Sequence, residues 1–210
     1  MHISDGVLSL PVIAVGWGVT LTLLTITLWW SKDNIVEQIP KISVMTGAFF
    51  IASLIHVPIP PTSVHLILNG LLGVVLGVLA YPAMFIGLTL QALLFQHGGI
   101  TTIGVNTMNV GVPALIAYGI FKVGCNRSIS KTLLGAICGG LAVLVTAVFL
   151  AICLITTGDE FQDVAKVAVA AHIPIMIIES IITGSVVAFL AKVKPEMLSI
   201  DNEDKKNESN

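Results

Sequence analysis

The chain has 210 residues, of which 55% are hydrophobic and only 10% charged, and its formal net charge is −2. A water-soluble domain carries about 25% charged residues, so this composition excludes a soluble globular protein and calls for a lipid bilayer. The near-neutral balance, with no basic patch, excludes a nucleic-acid partner. Cys125, Cys138 and Cys153 are widely spaced, with no C-x-x-C or Cys/His zinc pattern, and read as small buried apolar residues.

The chain opens on Met1-His2-Ile3-Ser4-Asp5-Gly6. Nothing basic precedes the first apolar run and no A-x-A-like site closes it, so no cleavable signal peptide is expected and Met1 is expected to be the mature terminus. Seven runs then approach the roughly 20 apolar residues that a helix needs to cross the hydrocarbon. They cover residues 8–30, 41–57, 63–80, 82–97, 108–124, 131–155 and 164–192, the third and fourth parted only by Tyr81-Pro82. The expected class is an all-α integral membrane bundle of about seven helices. One membrane domain covers residues 1–194, and a polar, disordered cytoplasmic tail covers 195–210.

Orientation follows from the basic residues of the loops. With the N-terminus outside, Lys32, Lys41, Lys122, Arg127, Lys131, Lys192, Lys194, Lys205 and Lys206 all fall inside, and only Lys166 falls outside. On that topology His2, His56, His65, His97 and His172 lie on the outer side. Residues 97–109, with no charge and three glycines, read as a loop folded into or over an outer pocket. Small residues four apart at Gly70, Gly73 and Gly77, and at Gly135 and Gly139, mark close helix packing. Glu179 is the one carboxylate deep in a span and is expected to hold a helix–helix hydrogen bond or to orient a group beside the site, the structural role being favoured.

Phosphate-loop, H-E-x-x-H and nucleophile-elbow motifs do not occur, so no enzyme is expected. A free amine one residue from an imidazole is a chelating geometry. The amine and the His2 amide nitrogen close a five-membered ring, and that amide and His2 Nδ1 a six-membered one. Three nitrogens in a plane plus a fourth suit Ni(II) or Cu(II). His65, after the proline-rich turn at residues 58–61 and at the start of a helix on the same side, is the natural fourth.

Three stretches resemble the CbiM/NikM family, the cobalt- and nickel-specific substrate-binding components of energy-coupling-factor transporters. They are Met1–Gly6, Pro61-Thr-Ser-Val-His65-Leu66, and Gln91-Ala-Leu-Leu-Phe-Gln-His97 with Gly98-Gly-Ile-Thr-Thr-Ile-Gly-Val-Asn106. Ala171-His172-Ile-Pro and Glu179 are also similar to that family's last helix. The resemblance reaches to about Lys194. It implies an extracytoplasmic N-terminus tucked into a seven-helix bundle, with the metal held by the Met1 amine, the His2 amide and ring, and His65. It also implies that the loop matching residues 97–109 closes over the site and supplies orienting polar groups, His97 and Asn106 first; Asp5 and Asn69, outside that loop, are further orienting or gating candidates.

The implied cargo is Co(II) or Ni(II), with no organic cofactor. The implied partners are a transmembrane coupling component, cytoplasmic ATPase subunits and a small accessory membrane subunit, in the plasma membrane of a prokaryote. Pro60-Pro61 departs from the glycines many members carry, and the fused C-terminal extension of some nickel members is not expected here, so a separate small membrane subunit is. A vitamin-binding component of the same transporter class would want stacking aromatics, which make up only 6% of the chain. A metal channel or secondary exchanger would want several acids in the spans, where only Glu179 qualifies.

Overall fold

The computed structural model describes residues 2–33, 35–54, 56–59 and 62–199. Helices form where the apolar runs predict them: α1 (Leu10–Ser31), α2 (Ile35–Leu54), α3 (Asn69–Leu76), α4 (Ala80–Phe95), α5 (Ile103–Asn126), α6 (Lys131–Ile155) and α7 (Gln162–Val193). Six stretches among the described residues are long and apolar enough to cross a bilayer, α3 and α4 counting together as Asn69–Phe95.

The third expected span is therefore corrected. Alone, α3 is about 12 Å long, too short for a hydrocarbon core of roughly 30 Å. All eight of its residues are buried, so it is the filling of the bundle rather than one of its walls. The break falls at a 3-10 turn, Gly77–Leu79, not at Tyr81-Pro82. Gly77 takes a φ of +61°, and its N–H caps Gly73 O. A left-handed residue at that point ends the helix at little cost only if it lacks a Cβ. Pro82 is accommodated in the first turn of α4, where its missing N–H would have had no helical partner.

Close approach of backbones holds α3 in place. A Cβ on Gly70 would lie 2.6 Å from Cys138 O of α6, and one on Gly73 would collide with Ala114 O of α5. This is the small-residue packing that replaces hydrophobic driving force inside lipid. Around α3 gather Phe49 of α2, Met84 and Leu88 of α4, Val110 and Ala114 of α5, and Val143 and Ala147 of α6. The chain does not leave the bundle at residue 194. A 3-10 turn at Pro195–Met197 leads to a fully buried Leu198, and Ser199 Oγ donates to Val74 O at 2.8 Å. That carbonyl lies in the last turn of α3, just where Gly77 ends the helical ladder. Residues 200–210, the rest of the expected tail, lie outside the described residues.

Two further differences position the site. The sequence between α2 and α3 was expected to turn straight into a helix at His65. Instead it forms an antiparallel hairpin, β1 (His56–Ile59) and β2 (Thr62–His65), with His56 opposite His65. Residues that precede proline are driven to extended backbone, and Val57 and Ile59 both do. His65 thus closes a strand, and residues 66–68 run irregularly into α3. Pro60 and Pro61 lie outside the described residues. The expected loop at 97–109 is also shorter, because α5 begins at Ile103. Every residue from Thr102 to Thr107 is buried, so this polar-looking run is packed as helix rather than left as coil.

The N-terminal segment enters the bundle. Ile3 and Leu8 are buried against Val105 of α5, Leu150 and Leu154 of α6, and Ala165 and Ala168 of α7. Ile3 is the anchor that carries His2 inward.

Candidate metal centre

Three imidazoles meet where the N-terminal segment, the end of β2 and the loop after α4 converge. His2 and His65 are 4% and 2% exposed. His65 Nε2 lies 3.0 Å from His2 Nδ1, with the rings stacked at 4.8 Å between centroids. The His97 ring is 4.3 Å from His2 and 5.7 Å from His65. One nitrogen from each of the three fits within 4.8 Å of the others. Met1, the first expected ligand, lies outside the described residues.

The donor atoms are set by their neighbours. His65 Nδ1 is 2.7 Å from Leu66 O. A carbonyl only accepts, so Nδ1 carries the proton and Nε2 presents its lone pair toward His2. Burial holds the pKa of both His2 and His65 well below the ordinary 6.5. It pulls that of His97 down to about 4. All three rings are neutral at pH 7, which is the form that binds a cation.

The backbone around His2 is locked from three directions. Asn106 Oδ1 accepts from Ile3 N at 2.9 Å, and its Nδ2 donates to Ile3 O at 3.1 Å. Thr102 Oγ1 also donates to Ile3 O, at 2.7 Å. Thr102 is the N-cap position of α5 yet makes no side-chain cap. Its hydroxyl serves the N-terminal segment instead. Asp5 accepts from Ile100 N and Thr101 N, both at 3.0 Å, and from Thr101 Oγ1 at 2.5 Å. The Thr101 hydroxyl is the main cause of the lowered Asp5 pKa, so this clamp is present above the usual carboxylate range and is lost as pH falls through it. Gly98, at φ +84°, passes over the site, where an added Cβ would be 3.2 Å from both Asn106 Nδ2 and His2 Cβ. Asn106 thus holds the N-terminal segment at Ile3, and Asp5 ties that segment to the loop at 100–101. Asn69 sits elsewhere, donating to Thr146 Oγ1 at 2.8 Å and Val110 O at 3.2 Å, and it joins α3 to α5 and α6.

Glu179 grips the chain just beyond His65. Its Oε1 accepts from Ile67 N at 2.6 Å and Leu68 N at 2.7 Å, and it is fully buried. Leu68 takes a φ of +55°, unusual for a branched side chain, and these two hydrogen bonds hold it there. The bond therefore runs from a helix side chain to irregular backbone rather than from helix to helix. His172 stands apart on α7, with Nδ1 against Ala168 O.

Sequence reasoning overlooked Gln91. It is fully buried on α4, its Nε2 donates to Ser53 Oγ at 2.5 Å, and its side chain interacts with His2. Yet Gln91 Oε1 and His2 Nε2 are both left without a hydrogen-bond partner of good geometry. Buried polar atoms are rarely orphaned. A proton moved to His2 Nε2, as Nδ1 ligation demands, would give each atom the other. The signal was a lone amide in the middle of an apolar run.

The chain from residue 2 to 197 matches the family described as the cobalt uptake substrate-specific transmembrane region, CbiM. The chain belongs to the CbiM family. A Haemophilus influenzae protein named for metal transport is 33% identical, over 95% of this chain and 97% of its own length. The CbiM cobalt transport protein of Thermosediminibacter oceani is 31% identical over 90% and 84%. The fused nickel transport protein NikMN of Rhodobacter capsulatus is 28% identical over 95% of this chain and 64% of its own. A crystal structure of a transition metal transporter superposes with a TM-score of 0.84, at 29% identity, over 92% of this chain and 93% of that one. This CbiM-family chain is a membrane component of cobalt or nickel uptake, and its apolar helices and buried imidazoles fit that role.

Proposed function

We propose that the chain is the substrate-binding component of an ATP-driven cobalt/nickel importer. In this reading one divalent ion is held by four nitrogens: the Met1 amine, the His2 amide, His2 Nδ1 and His65 Nε2. The N-terminus faces outside, and a transmembrane coupling component with cytoplasmic ATPases and a small accessory membrane subunit drives release inward. The observation that carries the reading is the 3.0 Å separation of His65 Nε2 and His2 Nδ1. Two nitrogens about 2.0 Å from one ion and at right angles to each other stand about 2.8 Å apart. The tilt and protonation of His65 are already fixed by Leu66 O, so little rearrangement is needed on binding. Gln91 then orients His2, as carbonyl and amide groups commonly do for the far nitrogen of a ligating imidazole.

A second reading has its own observation. His2, His65 and His97 bring three ring nitrogens together, which would serve as an all-imidazole site without the chain terminus. Proton release separates the two. The imidazoles are already neutral, so an all-imidazole site releases essentially no protons at pH 7. The amine, ordinarily with a pKa of about 7.7–8.0, and the amide each give up a proton, so the terminal chelate releases about two per ion. Calorimetry of nickel binding to the untagged protein, in buffers of different ionisation enthalpy, counts them. A count near zero overturns the terminal chelate. By the same chemistry its affinity falls as pH drops from 8 to 6, where His2 and His65 do not yet protonate.

A further inference from the structure

His56 is the most exposed imidazole of this cluster, and the four-nitrogen site does not use it. The hairpin places it opposite His65 in the ladder, and residues directly opposite share a face of an antiparallel pair. Its ring lies 4.4 Å from that of His97, which in turn lies 4.3 Å from His2. Exposure declines along this line: His56 is exposed, His97 half-buried, and His2 and His65 buried. The free nitrogens are also suitable. His56 Nδ1 is 3.2 Å from Leu54 O, so it carries the proton and Nε2 presents its lone pair. His97 Nε2 is buried with no partner.

We propose that His56 and His97 form an outer two-imidazole station, which takes a hydrated divalent cation from solution and passes it to the buried His2–His65 site. The proposal rests on the four-nitrogen reading above. A hydrated ion cannot enter a site whose ligands are 2–4% exposed without losing its waters. At the station each imidazole nitrogen replaces one water. The His97 ring contacts both His56 and His2, so it remains bound while His56 is exchanged for the inner nitrogens. The ion is never stripped of all its ligands at once, and no bond other than metal–water and metal–nitrogen changes. His56 acts on the rate of capture and not on the final coordination.

The test is stopped-flow mixing of Ni(II) with untagged protein in detergent, beside equilibrium dialysis of the same samples. His56→Ala removes the ring. His56→Phe keeps a ring to pack against His97 but has no nitrogen. Both variants are expected to slow association, while dialysis shows unchanged occupancy. Unchanged association in both variants overturns the station alone. A Phe variant as fast as wild type overturns it in favour of ring packing. Lost occupancy makes His56 a ligand of the final site and overturns it too. A wild-type protein that binds no nickel overturns the four-nitrogen reading and the station with it.

Discussion

One alanine inserted between Met1 and His2 lowers nickel affinity by on the order of 100-fold or more, about 2.7 kcal/mol, with every side chain of the site retained. The insertion separates the amine from the His2 amide by a further residue. The amine can then no longer close a five-membered ring with that amide while His2 Nδ1 closes its six-membered one. The anchoring of Ile3 makes the effect sharper. Its N–H and C=O are held by Asn106 and Thr102, and its side chain is fully buried, so His2 cannot slide outward to restore the register. Helicity and detergent stability are expected to be unchanged. Equilibrium dialysis of the purified protein against nickel reads the loss. Wild-type occupancy in the extended protein would remove the amine from the site. The same argument predicts that any uncleaved N-terminal tag abolishes metal uptake.

His65→Ala is expected to lower nickel affinity by a similar order, again about 100-fold. The ring supplies the fourth nitrogen of the proposed square. His97 approaches His2 from a different direction, with its ring tilted 56° rather than stacked. The fold should survive, because the segment after His65 is held by Glu179 through Ile67 and Leu68 rather than by the ring. His65→Ala also frees Leu66 O, which lies in a partly buried setting, and a small loss of thermal stability is expected. Dialysis and a thermal melt on the same sample separate the two effects. Unchanged metal content would exclude His65 as a ligand.

Much of the fold was legible because hydropathy reports spans directly. Residues 131–155 were read as a helix and α6 occupies those positions, while α7 differs by only a few residues at its N-terminal end. The errors have physical causes. Pro40 and Lys41 look like a helix start, but α2 begins at Ile35 and carries Pro40 inside it. Residues 63–80 have the apolarity of a span because α3 is buried in protein on every side, and burial in protein and burial in lipid leave the same compositional trace. The hairpin at His56–His65 escaped because proline was read as a turn signal rather than as a constraint toward extended backbone.

The site divides in the same way. The approach of His2 and His65 was anticipated, His2 from the local Met-His pattern at the chain end and His65 from its place after the proline-rich turn on the same side. Asp5 and Asn106 were recognised as polar residues near the site, but their targets, the loop at 100–101 and the Ile3 peptide, come from tertiary approach. Gln91, Thr102 and His56 meet Ser53, Ile3 and His97 across gaps of 38 to 99 residues in sequence, so their partners come only from tertiary approach. Asn69 shows the converse: an amide close in sequence to His65 that ties helices together instead.

Nickel-edge X-ray absorption on the loaded, untagged protein tests the central claim most directly. The account predicts four nitrogen donors in a plane at about 2.0 Å, with scattering from two imidazole rings and no more. Three imidazoles, or six-coordinate nickel with oxygen donors, would contradict it.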